Sequence, residues 1–355
     1  SLRGRDEWVR VSWDEALDLI ATELKRVYKY YGPRSVLIDC LYNNDYRPVF
    51  AAMGGYVDTW STSSPGNWGF TPSNCGYEAR GGRAAINDRM DILNSEVIIL
   101  HGANPAWTSP GLPSYTFLKA KEAGAKFISI DPVYNESHAM LDAEWVPVRP
   151  VTDIALLLGV AHTLITEDDP VKNPLIDGDF LKRCTIGFDE NSMPQGADKK
   201  KNFKDCVLGT YDKQPKDAEW ASERCGTPAN QIKSLARSMG MKNKVAFLTS
   251  WAPARTTSTD SLPQLVMTIG AMTGHMGKPG HMTGVSTHRL AANGGPSLVT
   301  AGGTGRPAPK NPVDDSINET EYWDAIMGKP YHFVGGPVHG SRPPFQMRTR
   351  GIRRL

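Results

Sequence analysis

The stretch that most constrains this chain is residues 96–132, EVIILHGANPAWTSPGLPSYTFLKAKEAGAKFISIDP. Val97 to Leu100 is an unbroken apolar run, the pattern of a strand buried on both faces. It stops at the small, polar turn His101-Gly102-Ala103-Asn104-Pro105. A helical pattern runs from about Pro113 to Ala123, and Gly124 closes it. Phe127 to Ile130 is a second apolar run, ending at Asp131-Pro132. Strand, loop, helix and strand in that order make a right-handed crossover, so the two strands are parallel. Ligands of such sheets bind beyond the carboxyl ends of the strands, where Gly102, Asn104 and Asp131 fall. An acid after the second strand sits where dinucleotide folds place a ribose-binding carboxylate, but the first loop lacks G-x-G-x-x-G. Taken alone, the pattern fits a nucleotide site and a ligand-free α/β unit with a turn asparagine and a turn aspartate about equally.

At 355 residues the chain exceeds one typical domain, which points to two α/β lobes. Apolar runs break into loops at Cys40, Leu100, Ile130 and Ser250. These transitions suggest two doubly wound, Rossmann-like lobes, one of residues 1–83 and 243–355 and a second, 84–242, inserted into it. Ser12-Trp13-Asp14-Glu15 is a capping box, followed by a stripe of Leu17, Ile20, Leu24, Val27 and Tyr28 that ends at Gly32-Pro33. Ser35 to Cys40 reads as a strand running into the loop Tyr42-Asn43-Asn44. Residues 54–83 have no sustained period, yet Trp60, Trp68 and Phe70 argue against disorder there. Thr152 is placed to cap a helix over Asp153 to Ile165, and Asp153 suits its positive end. Residues 189–216 read as a solvated, Lys-rich loop. Helices follow from Thr227-Pro228 to Met239 and near Ser261–Thr273, with a strand over Val245 to Ser250 between them.

Forty basic and 38 acidic side chains nearly cancel, which leaves no electrostatic footprint for nucleic acid or an anionic membrane. No apolar run reaches the roughly 18 residues that a membrane-spanning helix needs. The five cysteines are scattered without C-x-x-C, so they form neither a cluster motif nor a disulfide framework.

Several stretches, in order, carry a resemblance. They are Trp8-Val9-Arg10-Val11-Ser12-Trp13-Asp14-Glu15-Ala16, Gly54-Gly55-Tyr56, and Asp91-Ile92-Leu93-Asn94-Ser95-Glu96 with Gly102-Ala103-Asn104-Pro105. Ile130-Asp131-Pro132, Glu144-Trp145-Val146-Pro147-Val148-Arg149-Pro150-Val151-Thr152-Asp153, and Leu265–Gly280 with Met272-Thr273-Gly274 complete the set. Each is weak alone; together they cover most of residues 8–285. The chain resembles the molybdopterin oxidoreductases of the dimethyl sulfoxide reductase family, nearest to the bacterial anaerobic catalytic subunits.

The resemblance implies bis(molybdopterin guanine dinucleotide) carrying Mo or W, with Gly102, Asn104 and Pro105 lining one guanine dinucleotide. It gives Asp131 the ribose or guanine and Thr152 and Asp153 the guanine edge. A carboxylate suits that edge, because it accepts from the ring N–H and the exocyclic amine together. Trp251 and the loop carrying Thr273, Gly274 and His275 would approach the second pterin. By position the metal ligand is Ser64, with Ser63 the alternative, although Ser-Thr-Ser-Ser-Pro-Gly is also ordinary turn chemistry. Tyr42 would face the substrate.

The activity implied is reduction of an S-oxide or N-oxide in anaerobic respiration. Another branch of the family (a polysulfide, tetrathionate or arsenic oxidoreductase, or a dehydroxylase) and a Mo-free redox scaffold stand as alternatives. Partners implied for the whole protein are an iron–sulfur electron-transfer subunit, a membrane anchor and a small oxidised substrate, in an extracytoplasmic, membrane-associated setting. The family's [4Fe–4S] segment would lie before Ser1, so the chain reads as an internal piece, inactive by itself. Two departures bear on the substrate: His275 stands where the family usually has Asn, and the Ser64 loop lacks Asp-Tyr-Ser.

Overall fold

The structure, a computed structural model, describes residues 4–5, 8–38, 46–60, 68, 87, 89–108, 112–285, 309–318, 323–324, 327 and 333–335. Contacts divide the chain into two compact units, Ser1–Thr62 with Thr300–Leu355, and Ser63–Val299.

In the first unit a helix spans Trp13–Tyr31, with the Ser12 hydroxyl accepting the Glu15 amide at 3.2 Å and Gly32 closing it at φ +77°. Of the expected apolar stripe, Val27 and Tyr28 pack on the small core of Val36, Ile38, Ala51 and Tyr56, whereas Leu17 and Ile20 are exposed. Strands Leu37–Ile38, Val57–Trp60, Asp315–Asn318 and Phe333–Gly335 form a sheet in that order, parallel except for the last pair.

The second unit is built on a five-stranded parallel sheet. Its strands are β1 (Val97–His101), β2 (Lys126–Asp131), β3 (Glu144–Pro147), β4 (Val245–Thr249) and β5 (Met282–Val285), in the order β3-β2-β1-β4-β5. β1 is central, and every residue in it is buried. Its side chains alternate between two cores, as a two-fold period requires. Val97 and Ile99 enter the larger core with Ile128, Ile130 and Trp68; Ile98 and Leu100 enter the smaller one with Phe117, Phe127 and Leu141. Each such side chain contributes about 2 kcal/mol by leaving water.

Helices α1 (Leu112–Glu122) and α2 (Glu136–Leu141) cover the smaller core. Helices α3 (Asp153–Glu167), α4 (Ala218–Cys225), α5 (Ala229–Met239) and α6 (Leu262–Thr273) cover the larger. Two glycines set the closeness of that layer. A Cβ on Gly159 of α3 would lie 2.6 Å from the Ala221 Cβ of α4, and one on Gly270 of α6 would lie 2.6 Å from Thr283 of β5.

Three expectations change. β4 and β5 pair in the sheet of β1, so the inserted lobe does not end at 242; the boundary moves because hydrogen bonds carry residues 245–285 into that sheet. Residues 189–216 are not loop alone: Phe203–Leu208 is a short helix, with the buried Asn202 accepting the Asp205 amide at 2.8 Å. The third concerns Thr152, which caps nothing. Its hydroxyl donates instead to the Arg149 carbonyl at 2.7 Å, and α3 begins without a side-chain cap. No helix among the described residues is long and apolar enough to cross a membrane.

Candidate cofactor-binding site

Parallel strands align their carboxyl ends, so β1, β2 and β4 deliver His101, Asp131 and Thr249 to one edge of the sheet. Beyond it the backbone is tightly held. The Gly102 amide donates to the Ile130 carbonyl at 2.9 Å, the Ser250 amide to the His101 carbonyl at 2.9 Å, and the Ser250 hydroxyl to the Gly102 carbonyl. Gly102 sits at φ +60°, and a Cβ there would lie 2.5 Å from Cγ of Pro253. Glycine is thus required for a close backbone approach between two strand-end loops.

Asn104 is engaged at both ends of its amide. Its Nδ2 donates to Glu136 at 2.6 Å and its Oδ1 accepts from the Ser137 hydroxyl at 2.7 Å, while that hydroxyl also takes the Ala106 amide at 3.0 Å. The Asn104 hydrogen bond holds the exposed Glu136 carboxyl below its ordinary range. The asparagine therefore ties the β1 loop to α2, and its side chain is spent within the protein. Pro105, buried, opens the short helix Pro105–Thr108.

Two carboxylates remain at this edge, both buried. Asp131 accepts the Val133 amide at 3.2 Å through Oδ1, and its backbone carbonyl accepts the indole N–H of Trp145 at 2.9 Å. Burial pushes its carboxyl above the usual range, and the charge of Asp153 adds to that push. Asp153, first residue of α3, takes His101 Nε2 on Oδ1 at 2.8 Å. Among the described residues, no hydrogen bond reaches the second oxygen of either carboxylate. That arrangement leaves each of these oxygens in contact with solvent. It suits an incoming ligand with N–H or O–H donors, as the edge of guanine and the hydroxyls of ribose provide. No described group of three or more His, Cys, Asp or Glu side chains could hold a metal ion.

The chain matches the molybdopterin oxidoreductase family over residues 2–327. The chain belongs to that family. It is 34% identical over 324 residues to trimethylamine-N-oxide reductase of Haemophilus influenzae, covering 85% of this chain and 36% of that protein. Against the dimethyl sulfoxide reductase of Escherichia coli it is 32% identical over 347 residues, 92% of this chain and 40% of the relative. Against dimethyl sulfoxide/trimethylamine N-oxide reductase of Cereibacter sphaeroides it is 34% identical over 317 residues, 83% and 35%. The chain spans two fifths or less of the length of these relatives.

Within this molybdopterin oxidoreductase chain, the structure brings Gly102, Asn104, Pro105, Asp131 and Asp153 to one sheet edge. Trp251 follows β4 on the same side, with its ring buried in the larger core. Thr152 precedes α3 with its hydroxyl turned back to Arg149. Thr273, Gly274 and His275 lie elsewhere. They precede β5, at the amino ends of the strands, about 16 Å away by the rise of a five-residue strand.

There the loop is fastened to the segment before β1. Ser95 Oγ donates to the Gly280 carbonyl at 2.8 Å, and the Gly280 amide donates to Asp91 at 2.7 Å. Burial disfavours ionisation of Asp91, but bonds from Asn87, Asn94 and that amide outweigh it and hold the carboxyl low. Gly274 ends α6 at φ +66°, with no room for a Cβ beside Asp177, and the Thr273 hydroxyl bonds its own helix at Ile269. His275 points inward. Its Nε2 meets the Met239 carbonyl at 2.7 Å and its Nδ1 meets His281 Nδ1 at 2.9 Å; burial lowers its pKa to about 4. Both ring nitrogens are used inside the protein, so the imidazole holds the loop to α5 and to His281.

Ser64, Ser63 and Tyr42 lie outside the described residues. Sequence reasoning passed over His101, which reads as the first residue of a turn. The available signal was a histidine at the end of an apolar run in which every preceding residue is buried.

Proposed function

We propose that, in the full-length protein, this chain belongs to a catalytic subunit that holds molybdopterin as its guanine dinucleotide and reduces an S-oxide or N-oxide. The observation that carries the reading is a pair of buried carboxylates, Asp131 at the end of β2 and Asp153 at the start of α3, each with an oxygen open to a donor-bearing ligand. Asp153 would accept from the guanine N–H groups and Asp131 from a ribose hydroxyl or the base. The amides of Asp153 and Ile154, at a helix start with no side-chain cap, would suit the guanine carbonyl. Gly102 would keep the two strand-end loops close enough for the backbone to line the site. The relatives that carry S-oxide and N-oxide reductase names support the substrate class.

When bound, the cofactor supplies two-electron redox chemistry and oxygen-atom transfer, and the protein binds and orients it. Ser64 would ligate the metal, with Ser63 as the alternative, and Tyr42 would hydrogen-bond the substrate oxygen. An iron–sulfur cluster in a preceding segment, an iron–sulfur partner subunit and a membrane anchor would return electrons from an extracytoplasmic, membrane-associated position. The two units would be the doubly wound middle lobes of that subunit.

The test is Asp153→Ala in the full-length protein, made in a molybdenum-replete anaerobic host. Molybdenum and acid-released GMP should fall together, and with them viologen-linked reduction of S- and N-oxides. Unchanged molybdenum and GMP would remove Asp153 from the cofactor site.

A further inference from the structure

We infer that His101 is a positioning residue for guanine-nucleotide binding, acting through Asp153; the inference rests on reading Asp153 as the guanine contact. His101 has no exposed surface, and its ring stacks on Phe247 at 6.1 Å between centroids. Nε2 lies 2.8 Å from Asp153 Oδ1, and Nδ1 lies 3.2 Å from the Thr249 hydroxyl. Because a carboxylate only accepts, Nε2 carries a proton, and Thr249 holds the ring from the other side. The same hydroxyl also lies 3.2 Å from the Ser250 carbonyl, and its single proton serves only one of these two acceptors at a time.

The fold does not ask for a polar group here. Val97 to Leu100 are apolar, and a hydrophobic residue at 101 would continue the strand into the core. What the imidazole provides is a donor for a carboxylate that would otherwise turn toward the amides of its own helix. With Oδ1 drawn inward by His101, Asp153 is fixed in one orientation. A carboxylate has about four lone-pair sites, so Oδ1 keeps one and Oδ2 keeps two for the neighbouring N–H groups of guanine. Adenine offers no such pair of donors on that edge, so the arrangement reads the base as well as holding it. Thr249, His101 and Asp153 form a buried line from the end of β4 through β1 to the start of α3.

The experiment compares His101→Phe, His101→Gln and Asp153→Asn in the full-length protein, singly and with the first and third combined. It reads GMP retained after dialysis and the melting temperature. Glutamine can place an N–H near the position of Nε2; phenylalanine cannot. His101→Phe should retain about tenfold less GMP, His101→Gln should retain close to the parent level, and His101→Phe should cause no further loss in the Asp153→Asn background. Losses that add in the combined variant, or wild-type GMP in His101→Phe, would overturn the positioning role. Loss in both His101 variants that tracks a lowered melting temperature would also overturn it, in favour of packing. Full GMP in Asp153→Asn would instead strike the guanine contact itself, whatever the His101 variants do.

Discussion

Replacing Gly102 by alanine tests whether the strand-end edge is as tightly built as its geometry indicates. Two terms contribute. At φ +60° an alanine pays a left-handed backbone penalty of about 1–2 kcal/mol. The new Cβ would also lie 2.5 Å and 2.9 Å from Cγ and Cδ of Pro253, a rigid ring. Neither side can easily retreat, because the Gly102 amide and carbonyl are bonded to Ile130 and Ser250. Relief of such a clash by shifts in a packed region costs about 1–3 kcal/mol.

Gly277 is the matched control. It has φ +66° and nothing within 4 Å of a built Cβ, so Gly277→Ala meets the backbone term alone. Urea unfolding of the two variants should therefore differ by about 1–3 kcal/mol, with Gly102→Ala the weaker. At a slope of about 3 kcal/mol/M that is a midpoint difference of up to about 1 M. Midpoints that agree within about 0.2 M would refute the steric argument and show that Pro253 moves aside.

Two further predictions concern the packed helices and the buried histidine. Gly159→Ala should lower the melting temperature, because its Cβ would meet that of Ala221; adding Ala221→Gly should restore part of the loss, and strictly additive losses would disprove the contact. His275 has a folded pKa of about 4 against an ordinary 6.5, so below pH 6.5 the unfolded chain takes up a proton that the folded one refuses. Its contribution is present above about pH 6.5 and is lost as pH falls towards 4, about 3 kcal/mol in all. The fall in urea midpoint between pH 7 and pH 4.5 should accordingly be smaller in His275→Asn, and equal falls would refute the assignment.

Much of the second unit was legible because its signals are local. The apolar runs of β1 and β2, Gly124 after α1 and Pro228 before α5 each announce an element from a few neighbouring residues. Partner choice is not local. The run from Val245 to Thr249 reads equally well as a strand of either lobe, and only its pairing with Val97–His101 decides. Thr152 shows the same limit on a smaller scale, since a hydroxyl beside a helix start has two nearby acceptors or donors to choose from, and here the Arg149 carbonyl wins. At the site, the acids and glycine were visible as residue types. The engagement of Asn104 by α2 and of His101 by α3 depends on contacts across 32 to 52 residues, which spacing does not encode. The inward turn of His275 was likewise hidden, because its partner, the Met239 carbonyl at the end of α5, is 36 residues away.

The strand order of the second unit also governs how the protein must be made. β1 and β4 are neighbours in space, yet His101 and Thr249, which pair across them, are 148 residues apart. At ribosomal speeds of about 5–20 residues per second, the β4 side of β1 waits roughly 7–30 seconds for its partner. Throughout that interval the nascent chain exposes an unpaired edge of Val97, Ile98, Ile99 and Leu100, which is a template for pairing with other chains. Production of this protein is therefore most vulnerable before Val245 emerges, and slower translation through the α3–α5 region should increase its demand for chaperones.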